Sequence, residues 1–302
     1  MKYAILGAGG VGGCLAAYLQ QAGKEVTLYA RGAHLEVIRR SGLYVEQSTK
    51  PSFTAQVHAI PVGEETTNPD VIFVCVKGYS LAEVLPDLQR ISTAKTIVIP
   101  ILNIYGTGGR LQKELAADVL DGCVYIAGER TAPGRLLMKG DIFTVVFGHR
   151  DHTVNAALQT IADDLEDSGI HAVLSTQVQK DTYEKYTYIS PAATCGLFYH
   201  ATAGMMQKDG EIRETFKTLV KETEQLAAAM GIALDHDMVQ KNLAILDSLA
   251  PEASTSMQRD IAQGRRSEIE GLVYEPVRLA EKFGITLPTY QKIADRIALK
   301  GQ

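Results

Sequence analysis

Tyr3-Ala-Ile-Leu6 runs directly into Gly7-Ala-Gly9-Gly10-Val11-Gly12, and apolar residues at helical spacing (Val11, Cys14, Leu15, Tyr18, Leu19) follow. A short apolar strand that meets G-x-G-x-x-G and then a helix leaves few folds open, because each glycine has its own task. Gly7 permits the tight turn, Gly9 lets the backbone approach a pyrophosphate, and Gly12 lets the helix pack on the strand. The helix start, with Gly10 and Val11, offers N–H groups and a positive dipole end to the phosphates. The expectation is a bound dinucleotide. The alternative is a glycine-rich turn that binds nothing.

Lys24-Glu-Val-Thr-Leu-Tyr29 reads as a second strand after a helix stop at Gly23. Strand, helix and strand in succession form a βαβ unit, which implies a parallel sheet with a right-handed crossover. Val71–Val76 and Thr96–Pro100 are apolar runs of the kind buried on both faces, with a helical segment (Leu81, Val84, Leu85, Leu88) between them. The stretches 120–128, 134–138 and 142–148 read as further strands of antiparallel character. A helix near 152–168 and a strand at His171–Leu174 close this part. Beyond residue 175 only amphipathic helices are expected, over 177–199, 210–230, 236–248, 256–264, 268–284 and 288–299, with Pro191 kinking the first. The fold class is therefore α/β plus all-α: a Rossmann-type dinucleotide-binding domain over 1–174 and a helical domain over 175–302, with the site in the cleft between them.

The bulk composition narrows the function classes. The 302 residues suffice for two cores, and a formal net charge of −5 leaves no excess of Lys and Arg for nucleic acid or an acidic membrane. No apolar run approaches the roughly 18 residues of a membrane span. Met1 leads straight into the first strand, so no signal peptide is expected and the chain reads as cytoplasmic. The four cysteines (Cys14, Cys75, Cys123, Cys195) are scattered, so neither a metal site nor a disulfide framework is expected.

The residues after the second strand bear on which dinucleotide binds. NAD-binding folds place an acid there to grip the ribose 2′-hydroxyl. This chain reads Tyr29-Ala30-Arg31-Gly32, with no acid. Arg31 offers a guanidinium fork to a 2′-phosphate, which points to NADPH over NADH. The alternative is a solvated loop arginine.

Taken in order, the Gly7–Gly12 fingerprint, Arg31, Val76-Lys77 and Asn103 resemble a known pattern. So do a lysine in the first helix of the second domain and Thr255-Ser-Met-Gln-Arg-Asp260 followed by Gly264-Arg-Arg-Ser-Glu268-Ile269. Together they resemble the ketopantoate reductase (2-dehydropantoate 2-reductase) family across nearly the whole chain. The resemblance implies NADPH-dependent reduction of a branched 2-keto acid to the 2-hydroxy acid used for pantothenate and coenzyme A. It also implies site roles. Lys185, in Thr182-Tyr-Glu-Lys-Tyr, matches the general-acid lysine, which suits a developing alkoxide as proton donor and cation. Glu268 matches the group that holds that lysine. Ser256 matches the ligand of the substrate carboxylate. Lys77 and Asn103 match residues on the cofactor's side of the active centre, Asn103 touching substrate as well. Each has a structural alternative: a solvated helix lysine, a dipole-favouring acid, an ordinary N-terminal helix serine, a snorkelling lysine and a turn asparagine.

Local signals place some of these residues. Thr255-x-x-Gln258 is a capping-box pattern that puts Ser256 at a helix start. Gly264 ends that helix, and Ser267-x-x-Glu270 reads as a second capping box with Glu268 in the first turn. Asp260 matches the motif without an assigned chemistry.

Two departures bear on the substrate. Ile104 replaces the family's glycine after the asparagine, so that loop is expected to follow another path. Ile189 and Ala193, four and eight residues after Lys185, replace asparagines that face substrate in the family. Thr187, Ser190 or Thr194 are the hydroxyls available to compensate. Removing the amides suits a substrate without a hydroxyl, so the enzyme alternative is a D-2-hydroxyacid dehydrogenase of the same family acting on apolar branched 2-keto acids. A non-catalytic NADPH-sensing regulator is the alternative from another class. The helical domain carries enough apolar surface for a homodimer; the alternative is that its helices face their own core.

Overall fold

Tyr3 and Ile5 of β1 (Lys2–Leu6) join one buried cluster while Ala4 and Leu6 join another, so the first strand buries both faces. The computed structural model describes residues 1–64 and 68–300, and the chain divides into two units, Met1–Gln179 and Lys180–Gln302. In the first unit β1 is followed by α1 (Gly10–Gln21), β2 (Glu25–Ala30), α2 (Gly32–Ser41), β3 (Leu43–Gln47), β4 (Phe53–Ala55) and β5 (His58–Pro61). Next come β6 (Val71–Val74), α3 (Leu81–Ile91), β7 (Ile97–Pro100), α4 (Thr107–Gln112) and β8 (Asp118–Val119). The unit ends with β9 (Asp121–Ala132), β10 (Arg135–Gly148), α5 (Ala156–Asp167) and β11 (His171–Leu174).

Six strands form a parallel sheet in the order β5-β2-β1-β6-β7-β8. This is the Rossmann-type arrangement. The expected strands 134–138 and 142–148 are one strand, β10, with a register shift between Lys139 and Phe143 against the antiparallel β9. β10 also pairs in parallel with β3 and β11, so these strands build a second sheet. Helix α1 packs against both sheets, which explains why its Cys14, Leu15, Ala16 and Leu19 are fully buried.

The second unit is helical: α6 (Val178–Tyr199), α7 (Ala203–Gln207), α8 (Glu211–Ala229), α9 (Met238–Asp247) and α10 (Ser256–Ala262). A π-helical turn over Glu270–Tyr274 then leads into α11 (Glu275–Lys282), and α12 (Pro288–Lys300) follows. The helix expected over 268–284 thus carries an irregular first part. Phe216, Leu219, Leu226, Leu246, Tyr290 and Ile293 form the centre of this unit's core.

Two prolines inside helices shape this unit. Pro191 has no N–H, so the Thr187 carbonyl four residues earlier loses its helical donor. α6 nevertheless continues to Tyr199, and the buried Asn242 amide donates to that carbonyl at 2.9 Å. Pro276 likewise withholds an N–H from Leu272 in α register and from Gly271 in π register. Tyr186 Oη donates to the Gly271 carbonyl at 2.8 Å, and Ser190 Oγ and Thr194 Oγ1 donate to that of Leu272 at 2.7 and 3.2 Å. Among the described residues no helix is long and apolar enough to cross a membrane.

Candidate dinucleotide and substrate site

The strand order reverses between β1 and β6, and in open parallel sheets ligands bind beyond the carboxyl ends at such a point. Gly7–Gly12 follows β1, and Lys77 follows β6 at the start of a 3₁₀ turn. Arg31 follows β2 and is exposed at the N-cap of α2, while Asn103 follows β7. The four positions therefore lie along one edge of one sheet.

The glycines of the turn differ in what the fold asks of them. Gly7 has φ +112°, and a Cβ on it would come within 2.9 Å of the Cys75 carbonyl carbon. A Cβ on Gly12 would collide with the Gly7 carbonyl oxygen, and one on Gly10 with the carbonyl of Gly128 in β9. Gly10 therefore has a packing role that the sequence motif does not announce. Gly9 is different: its φ of −78° suits any residue, and a Cβ there would meet nothing within 4 Å. Nothing inside the protein requires glycine at position 9.

Two buried polar residues hold the loops of this edge. His34 is 4% exposed; its Nε2 lies 2.8 Å from the Ala8 carbonyl and its Nδ1 accepts from Gly134 N–H at 2.8 Å. Asp121, also buried, accepts N–H bonds from Gly108 and Gly109 and so caps α4, whose own N-cap, Gly106, has no side chain to do so. Burial raises the Asp121 pKa against the opposing pull of Arg150, 3.3 Å away. The loop carrying Asn103 ends on this helix. Ile104 stays out of the positive-φ region, and Gly106 takes it instead (φ +74°). Neither His34 nor Asp121 stands in a recognisable motif.

In the second unit, Lys185 is half-buried on α6. Ile189, also half-buried, and the fully buried Ala193 occupy the same face in a helix that runs unbroken between them. Glu268 is 3% exposed. Its carbonyl accepts the N–H groups of Gly271 and Leu272, so the helix begins at Glu268 and not at Ser267. The second capping box does not form: Glu270 turns to Arg278 at 2.9 Å, because an arginine two turns on offers a charged partner. Tyr186, next to Lys185, is bonded to Gly271, three residues after Glu268, and this draws the two segments together. Thr187, Ser190 and Thr194 lie on the same helix. Their hydroxyls are buried and bond Glu184, Leu272 and Leu272 carbonyls respectively. The spacing of Tyr186, Ser190 and Thr194 at every fourth residue was a legible polar stripe.

The Thr255–Gln258 capping box forms as expected and puts Ser256 at the first position of α10. Gly264 closes that helix: its N–H donates to Ile261 and that of Arg265 to Asp260. Asp260 also holds the Arg265 guanidinium at 2.7 Å, and thereby the loop leading to Glu268. α10 meets α6 at Gly196, where a Cβ would come within 2.6 Å of Gln258. Among the described residues no group of His, Cys, Asp and Glu is disposed to hold a metal ion.

Comparison with known proteins follows the same division of the chain. A family model described as ketopantoate reductase PanE/ApbA matches residues 3–152, and its C-terminal counterpart matches residues 177–301. The oxidoreductase YkpB of Bacillus subtilis is 24% identical over 97% of this chain and 96% of its own. A 2-dehydropantoate 2-reductase of Mesorhizobium japonicum is 26% identical over 99% of this chain and 98% of its own. Among solved structures, D-mandelate dehydrogenase with NADH and anilino(oxo)acetate shares the fold, with a TM-score of 0.89, 24% identity and coverage of 99% of this chain and 98% of that one.

Proposed function

Since this chain belongs to the ketopantoate reductase family, we propose that it is an NADPH-dependent oxidoreductase that reduces a 2-keto acid, ketopantoate, to the 2-hydroxy acid. The observation that carries the coenzyme assignment is Gly9. A glycine that neither backbone conformation nor packing requires is explained by a ligand that must approach the main chain there. The exposed Arg31, with no acid at the end of β2, favours the 2′-phosphate of NADPH over the free 2′-hydroxyl of NADH. Gly7, Gly9, Gly10, Val11 and Gly12 hold the pyrophosphate, and Lys77 and Asn103 lie on the cofactor's side of the active centre.

The nicotinamide, when bound, supplies the hydride. The chain's own residues do the rest. Lys185 donates a proton to the keto oxygen, and its charge stabilises the oxyanion as it forms. Glu268 orients that ammonium. Ser256 and Asn103 hold the substrate.

A specific observation favours a second substrate class. Ile189 and Ala193 on the Lys185 face are apolar, and the neighbouring hydroxyls are fully buried and donate to main-chain carbonyls. A substrate with a 4-hydroxyl would find no partner from them, which suits an apolar branched 2-keto acid and a D-2-hydroxyacid dehydrogenase. NADPH oxidation, followed at its absorbance with ketopantoate, ketoisovalerate, ketoisocaproate and phenylpyruvate, tests both. Turnover of ketopantoate above the others supports the first reading, and turnover confined to the apolar acids supports the second. NADPH binding without turnover of any of them would leave a sensor of the coenzyme.

A further inference from the structure

His34 connects three segments. It belongs to the first turn of α2, three residues after Arg31; it reaches the Ala8 carbonyl in the glycine turn; and it receives the Gly134 N–H at the tip of the β9–β10 hairpin. The tautomer follows from the partners. Gly134 N–H can only donate, so Nδ1 is unprotonated and Nε2 carries the hydrogen given to Ala8. An imidazolium would set two N–H groups against each other at Nδ1. Burial lowers the pKa of His34; the bond to Ala8 opposes this, and the Arg130 guanidinium of β9 reinforces it. The hairpin also meets the turn at a second place, where Gly10 lies against Gly128 with no room for a side chain.

We propose that neutral His34 is a positioning residue for the dinucleotide, fixing the glycine turn and the helix that carries Arg31 in one arrangement. The inference rests on the reading that the coenzyme binds that turn. His34 faces inward to Ala8 and Gly134 and acts through the turn. Its removal therefore loosens the phosphate site while leaving Lys185 untouched.

The test is fluorescence titration with NADPH of the wild type, His34→Leu and His34→Gln, with steady-state kinetics alongside. His34→Leu removes donor and acceptor together, and the expected result is about a tenfold weaker NADPH affinity, or ~1.4 kcal/mol. KM for NADPH rises by a similar factor, with a smaller change in kcat. His34→Gln keeps one donor and one acceptor and recovers most of the affinity. On acidification the wild type loses affinity more steeply than His34→Gln, because only the imidazole can gain a proton at that position, and it does so below its ordinary range since burial lowers its pKa. Titration of the coenzyme's own phosphates is common to both proteins and cancels. A folded His34→Leu variant with wild-type affinity overturns the proposal, as does a glutamine variant that follows the wild-type acid profile. If the leucine variant does not fold, the glutamine comparison decides alone. A wild type that binds neither NADPH nor NADH sinks the coenzyme reading and this inference together, an outcome distinct from the other two.

Discussion

The Asn242 side-chain amide donates to the Thr187 carbonyl at 2.9 Å and lies 3.1 Å from the Thr187 hydroxyl, in the position where Pro191 provides no N–H. A residue on α9 thus completes the hydrogen bonding of α6. Asn242→Ala is expected to cost about 1–3 kcal/mol, the usual penalty for orphaning a buried carbonyl. In a Pro191→Ala background, where residue 191 again has an N–H, the same substitution should cost less. A double-mutant cycle by urea unfolding measures the difference, and equal costs in both backgrounds would remove the link to Pro191.

Gly9 and Gly12 should respond differently to the same change. Gly12→Ala puts a methyl group into the Gly7 carbonyl and should lower the melting temperature markedly. Gly9→Ala meets nothing in the protein and should melt like the wild type while losing about tenfold or more in NADPH affinity. Unimpaired NADPH binding by Gly9→Ala would contradict the proposed pyrophosphate site.

Arg31 is assigned to the 2′-phosphate. Arg31→Ala should raise KM for NADPH by about 10–100-fold and leave that for NADH nearly unchanged, since one charge-assisted contact is worth ~1.5–3 kcal/mol. Equal effects on both coenzymes would make Arg31 a bystander.

Lys185→Ala removes a proton donor and a cation together. The expected loss in kcat is about 100-fold to 10,000-fold, with NADPH affinity retained. Glu268→Gln should lower kcat less, since the amide keeps a hydrogen bond to the ammonium. Near-normal turnover of Lys185→Ala would refute its role as acid.

Asp164 predicts an acid dependence of stability. Burial works to raise its pKa, but hydrogen bonds from Lys24 at 2.6 Å and Tyr3 at 2.5 Å, with the charges of Lys24 and the amino terminus, leave it lowered. A carboxylate depressed in the folded state contributes stability above its unfolded value, near pH 4, and loses it as the pH falls further through the folded value. Urea midpoints from about pH 5 downward should fall more steeply for the wild type than for Asp164→Asn. Parallel curves would show that the pair contributes nothing.

Parts of both units were legible because their signals are local. Continuous apolar runs such as Val71–Val74 mark strands buried on both faces, and Thr255-x-x-Gln258 is a cap whose donors and acceptors lie within one turn. The capping pattern at Ser267 failed for the complementary reason: Arg278, eight residues beyond Glu270, competes for that carboxylate. β3, β4 and β5 are short strands that no local pattern marks; β3 and β5 take partners distant in sequence, in β10 and β2, and β4 pairs only at the edge of β3.

By itself the sequence determined the glycine turn between strand and helix and the order of a parallel α/β unit and a helical one. These follow from periodicity, backbone freedom and capping, which act over a few residues. Only the tertiary structure decided that Gly10 packs on Gly128, that His34 bridges Ala8 and Gly134, and that hydroxyls of α6 serve the carbonyls beside Pro276. Those partners lie some 80 to 118 residues apart, or 26 for Ala8, and a buried polar group is satisfied by whichever partner the packed chain brings to it.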